Sequence, residues 1–195
     1  MTLPASESRA ANIPWVLFPS DGEPAIPILD EQRVTCYPHD VNEPPLLNIV
    51  LYEPEIPQNA GNIGRTCVAL GARLWFVRPL GFRLEDRQLR RAGLDYWEFL
   101  DWKAVDDWRE LVDTVASQRY WYFSKFAQRE YWEADFHPQD VLVFGSESRG
   151  LPKSLVEGAA ERCLRIPMRP EVRSLNLAAS VAVGAYEALR QIRSR

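Results

Sequence analysis

Histidine is nearly missing from this chain: His39 and His137 are the only two in 195 residues, and neither has a partner at ligand spacing. Metal binding through histidine, or a Ser–His–Asp or Cys–His catalytic arrangement, is therefore not supported. Cysteine is equally sparse. Cys36, Cys67 and Cys163 are far apart, odd in number and form no CxxC pair. That usage suits a reducing compartment, with Cys67 and Cys163 as small buried residues. No apolar run approaches the roughly 20 residues a membrane-spanning helix needs, and the opening residues lack a basic stretch followed by an apolar core. The expectation is a soluble, cytoplasmic protein with no metal and no membrane partner. A basic excess is absent as well. The formal charge of −4 argues against a general polyanion binder, although local charge placement, not the total, decides binding.

What is present is an ordinary globular composition, 46% hydrophobic with seven tryptophans, long enough to bury one proper core. Residues 1–45 hold eight of the fifteen prolines and show no helical period. They read as a partly ordered extension, and residues 46–195 as the domain.

Within that domain, strand formers cluster at Asn48–Tyr52, Leu74–Val77, Tyr120–Phe123, Val141–Phe144 and Cys163–Ile166. Helical segments alternate with them. One starts near Asn59 or Asn62 as a cap and stops at Gly71. Glu85–Ala92 is a short helix. Asp106–Ser117 carries Trp108, Leu111, Val112 and Val115 at one-face spacing. Leu151–Ala160 is a helix with Pro152 in its first turn, where proline is tolerated, and a last helix runs from Ser174 to about Arg193. This alternation predicts an α/β fold with a mainly parallel sheet flanked by helices.

Two buried strands, Val141–Phe144 and Cys163–Ile166, deliver loops rich in Gly, Pro, Ser, Asn and charge. Ligands in open α/β sheets sit outside such strand ends, so the small-molecule site is expected at Val141–Asn176. Gly145, directly after a strand, would let a ligand approach the backbone closely. Either Glu147 and Arg149 pair with each other, or one of them faces substrate. Asn59-x-Gly61-Asn62-x-x-Arg65 offers a second candidate. A helix N-terminus there would suit a phosphate, with Arg65 one turn in; a capped helix with a solvated arginine explains it equally well. Ser174 can serve as an N-cap, and Asn176 can satisfy nearby backbone. Arg83, Arg87, Arg90 and Arg91 form either a basic patch or, with Glu85 and Asp86 between them, a solvated helix face. Tyr120–Phe123 reads as core, not as a base-stacking platform. These patterns define a pocket but no reaction.

Three segments together resemble the SPOUT (SpoU–TrmD) methyltransferases: NIVLYEPEIPQNAGNIGRTC (48–67), VLVFGSESRGLP (141–152) and RIPMRPEVRSLNLA (165–178). The segment LRRAGLDYWEF (89–99) is similar, more narrowly, to the TrmL/YibK-like tRNA 2′-O-methyltransferases. The resemblance implies a C-terminal deep trefoil knot, an exception to ordinary topology that local patterns never suggest. It implies a homodimer that methylates the ribose 2′-hydroxyl of a tRNA wobble nucleotide, cytidine or modified uridine, using S-adenosyl-L-methionine. The same chemistry at another tRNA or ribosomal RNA position, or a non-catalytic RNA-binding or cofactor-sensing module, stays open as an alternative. Carried over by motif, Phe123 and Ser124, then Gly145, then Ile166, Met168, Ser174 and Leu175 would hold the cofactor from three loops. Arg65, with Asn59, would face the methyl group from the neighbouring protomer and position substrate phosphate or hydroxyl. A guanidinium stays protonated and is no general base. Ser174 and Asn176 would orient the hydroxyl, and Glu147 would hold Arg65 or the loop. Lys125, Arg149 and Arg173 would touch the RNA backbone, although Ser124-Lys125-Phe126 departs from the usual threonine-lysine pattern.

Overall fold

Asn48–Tyr52 (β1), Arg73–Val77 (β2) and Val141–Phe144 (β6) form the centre of the sheet, and their near-continuous Val, Ile, Leu and Phe content reflects burial on both faces. The computed structural model describes residues 44–84, 96–115, 117 and 119–195. Four further strands complete the sheet among these residues: Trp102–Val105 (β3), Tyr120–Phe123 (β4), Arg129–Glu130 (β5) and Cys163–Arg165 (β7). The order is β3-β2-β1-β6-β4-β7-β5, and every pairing is parallel.

Register assigns the two faces. Ile49 lies opposite Leu74 and Leu142, and Leu51 opposite Phe76 and Phe144. These residues join Ile63, Cys67 and Leu70 of helix α1 (Pro57–Leu70) and Val181, Ala185 and Ala188 of helix α4 (Leu177–Arg193) in one core. Val50, opposite Trp75 and Val143, faces the other way. It packs in a second core with Leu111 of helix α2 (Trp108–Thr114) and with Val115. Helices therefore cover both faces, because successive strand side chains point to opposite sides. The apolar Tyr120–Phe123 run is core, with Tyr120, Trp121 and Phe123 buried. Cys67 and Cys163 are free and buried, and desolvation pushes both thiols above their usual range.

Several boundaries differ from the sequence expectation. Helix α1 starts at Pro57, with Ile56 as N-cap and no side-chain cap, so Asn59 and Asn62 lie inside it. Proline is pre-organised for a first helical turn, and that signal outweighed the asparagines. Its end is as expected: Gly71, at φ 65°, closes the helix in the left-handed region. Of the one-face stripe, Trp108, Leu111 and Val115 pack inward while Val112 is exposed, and the helix keeps only Trp108–Thr114 with Asp107 as its cap. The segment after Pro152 forms a single turn, α3 (Lys153–Val156), not a helix to Ala160; Gly158, at φ 81°, interrupts it. Helix α4 begins three residues later than expected, capped by Asn176 rather than Ser174. Strands β3 and β5 were not expected. The proposed helix at 85–92, and Arg87, Arg90 and Arg91 with it, lie outside the described residues.

Candidate active site

The loops that follow β4, β6 and β7 converge on one cavity of about 530 Å³, within the size range of small-molecule sites. Its floor is aromatic. Phe123 and Phe144, at the ends of adjacent strands, stack with ring centroids 4.4 Å apart and planes 17° from parallel. Around them lie Ser124, Lys125 and Phe126 from the first loop, Gly145–Leu151 from the second, and Ile166, Met168 and Arg173–Leu177 from the third. Phe123, Ser124, Gly145, Ile166, Met168, Ser174 and Leu175, from three widely separated stretches of sequence, thus line one cavity. Glu147, Arg149, Asn59, Asn176, Lys125 and Arg173 also line it. Arg65 does not. It is exposed on α1 and lies over the Tyr96 ring, 5.3 Å from its centroid.

Two short carboxylate links lace the second loop to the segment before α1. Glu147 accepts hydrogen bonds from the backbone N–H of Glu55 (2.8 Å) and Ile56 (3.3 Å) and from the Asn59 side chain (2.9 Å). In return, the Ser148 N–H donates to the Glu55 carboxylate at 3.1 Å. The Glu147 carboxylate thus sits on the two residues that lead into α1, near the positive end of the helix dipole and beside the stretch that the sequence offered as a phosphate cradle. Glu147 does not pair with Arg149, as one reading had it. Arg149 donates to Glu53 at 2.8 Å and lies 3.9 Å from Glu55.

Asn59 is 6% exposed and joins three elements. Its Nδ2 donates to Glu147, and its Oδ1 accepts from Asn176 Nδ2 at 2.9 Å. Asn176 Oδ1 in turn accepts from the backbone of Ala178 (2.9 Å) and Ala179 (3.3 Å). A continuous chain therefore runs from the second loop through α1 to the start of α4. Asn59 lies in the wall of its own protomer's cavity, with both ends of its amide occupied. Lys125 Nζ donates to the Arg173 carbonyl at 3.5 Å, so the first and third loops also meet.

Gly145 has a reason the sequence did not reveal. A Cβ there would sit 2.1 Å from Gly150 C and 2.2 Å from Leu151 N, so the loop's own fold-back, closed by the Ser146–Gly150 bridge, already requires glycine at this cavity-lining position. Sequence reasoning also missed Ile56 and Phe126 as lining residues, and Glu53 and Glu55 as partners of the second loop. The Glu-Pro-Glu-Ile run holds both acids, but nothing local says what they face.

The SpoU rRNA methylase family model matches residues 46–186. This chain belongs to the SpoU rRNA methylase family. A protein of Bacillus subtilis (strain 168) is 47% identical over 148 residues, covering 74% of this chain and 92% of that one. The tRNA (cytidine(34)-2'-O)-methyltransferase of Escherichia coli (strain K12) is 45% identical over 148 residues, covering 75% and 94%. A solved structure concerned with "the 2-OH methylation of C/U34 on tRNA" is 47% identical, covers 78% of this chain and 100% of its own, and superposes with a TM-score of 0.73. In this SpoU-family chain, as described, no group of three His, Cys, Asp or Glu residues could hold a metal ion, and no helix is long and apolar enough to cross a membrane.

The Glu147 links carry a prediction. Glu147→Ala leaves two backbone donors and the Asn59 amide without their charged acceptor, which should cost about 2–3 kcal/mol in urea unfolding. An unchanged unfolding midpoint would remove Glu147 from this role.

Proposed function

We propose that this chain transfers the methyl group of S-adenosyl-L-methionine to the ribose 2′-hydroxyl of a tRNA wobble nucleotide, cytidine or modified uridine at position 34. The observation that carries the proposal is the convergence of the three motif loops on a single cavity with an aromatic floor, in a chain whose relatives act on C34. The cavity suits a nucleoside-sized ligand: Leu164, Ile166, Leu151 and Leu175 supply apolar walls, and the loop backbones supply polar groups. When bound, the cofactor supplies an activated sulfonium methyl, so the protein's task is alignment and charge stabilisation. Ser174 and Asn176, on the third wall, would orient the hydroxyl. Arg65 would hold substrate phosphate or hydroxyl bidentately.

Arg65 fits this role if it is lent by a second copy. Val183 and Tyr186, three residues apart on α4, and Ile56 beside α1 are exposed apolar side chains, which supports a homodimer built on α1 and α4. The β6-β4-β7 order, with the loops after all three strands meeting at one cavity, supports a C-terminal deep trefoil knot. Residues 46–195 would form the methyltransferase domain and residues 1–45 an extension outside it. Reduced, buried Cys67 and Cys163 fit a cytoplasmic location.

The test is direct: incubate the protein with labelled S-adenosylmethionine and total tRNA, digest, and identify the labelled nucleoside by mass spectrometry. A 2′-O-methylated pyrimidine from an anticodon is the expected product. Label at another tRNA position would overturn the wobble assignment, and cofactor binding without transfer to any RNA would overturn the activity.

A further inference from the structure

Phe126 is 80% exposed, more than any other large hydrophobic residue among those described, yet it belongs to the wall of the cofactor cavity. Its exposure is built in. Ser124 and Ala127 close a turn, with the Ala127 N–H donating to the Ser124 carbonyl at 3.1 Å. The Phe126 N–H also donates to Ser124 Oγ at 3.3 Å. Both shoulders are anchored: the Ser124 N–H donates to Leu164 O at 2.9 Å, and Ala127 is buried. Lys125 and Phe126 occupy the two corner positions of that turn, where side chains project outward. Lys125 Nζ lies 5.2 Å from the Phe126 ring centroid and also reaches the Arg173 carbonyl, so the tip is tied to the opposite loop. An aromatic ring held out at the lip of a ligand cavity beside a cation is the pairing that single-stranded nucleic acid recognises. The ring takes a base face and the ammonium takes the adjacent phosphate.

We propose that Phe126 stacks on an unpaired base next to the methylated nucleotide and so seats the RNA at the cavity mouth. The inference rests on the RNA-methylating reading of this site and adds a substrate-binding residue to it. The turn preorganises the ring, so stacking costs little ordering on the protein side.

The test compares Phe126→Ala, Phe126→Leu and Phe126→Trp in the full-length protein, using an anticodon stem–loop RNA. Phe126→Ala should raise the KM for RNA and weaken its Kd about tenfold, with the loss falling on KM and not on kcat, and with cofactor affinity unaltered. Phe126→Trp should restore RNA affinity and Phe126→Leu should not, because an aliphatic side chain of similar bulk has no π face. An abasic nucleotide beside the target should abolish the difference between wild type and Phe126→Ala. Equal RNA affinity for wild type and Phe126→Ala would overturn the stack. So would a loss of cofactor affinity, which would make Phe126 a cofactor lid, or a change in oligomeric state, which would make it a subunit contact. Wild-type protein that binds the RNA without methylating it would sink the activity reading alone, leaving the Kd comparison to judge the stack; wild type that binds no RNA would sink both.

Discussion

Arg65→Ala should lower methyl transfer by about 10²–10³-fold, the loss typical of removing one charge-stabilising donor from a reacting centre, while cofactor affinity stays unchanged. The division follows from position. Arg65 is exposed on α1, beside Tyr96, and does not line its own protomer's cavity, so its removal leaves the cofactor walls intact. Arg65→Lys should restore little, because a point-charge ammonium does not reproduce a planar bidentate fork. Isothermal titration with S-adenosylmethionine and single-turnover transfer to tRNA separate the two effects. A large fall in cofactor affinity would refute the assignment of Arg65 to substrate.

Gly145→Ala should act in the opposite way, through the cavity itself. The added methyl would fall 2.1 Å from Gly150 C, 2.2 Å from Leu151 N and 2.5 Å from Gly150 O. All three are backbone atoms, so no side chain can rotate out of the way. Overpacking of this kind costs about 1–3 kcal/mol, and the 145–151 loop must shift to relieve it. Cofactor affinity should therefore fall by about 5- to 150-fold, as 1.4 kcal/mol corresponds to a factor of ten. Thermal melts and calorimetry read the two consequences; normal cofactor binding by a folded Gly145→Ala protein would show that the loop fold-back is not needed for the site.

The two variants together test the shared site. If Arg65 acts across a two-fold interface, mixing Arg65→Ala with Gly145→Ala protomers yields heterodimers with one complete site each, and random exchange should recover about a quarter of wild-type activity. No recovery after verified exchange would place Arg65 at its own protomer's site.

Much of the fold could be read from local pattern. Strands β1 and β6 are buried on both faces, and such strands run near-continuously apolar, so the IVLY and VLVF runs announce themselves. Gly71 ends α1 because the left-handed conformation there favours glycine. Strand β5 could not be read, since Arg129-Glu130 has no apolar signature and exists only because β7 offers it an edge. The same limit applied to Asp140, which is fully buried and takes the Trp121 indole N–H at 2.7 Å and the Arg119 guanidinium at 2.6 Å.

By itself the sequence determined the alternation of strands and helices, the loops that carry polar residues, and the family. Only the tertiary structure decided what those polar residues do. Glu147 meets Glu55 across 92 positions, and Asn176 meets Asn59 across 117. Such pairings depend on which strands lie side by side. Strand order is set by the packing of the whole domain, and no local spacing encodes it.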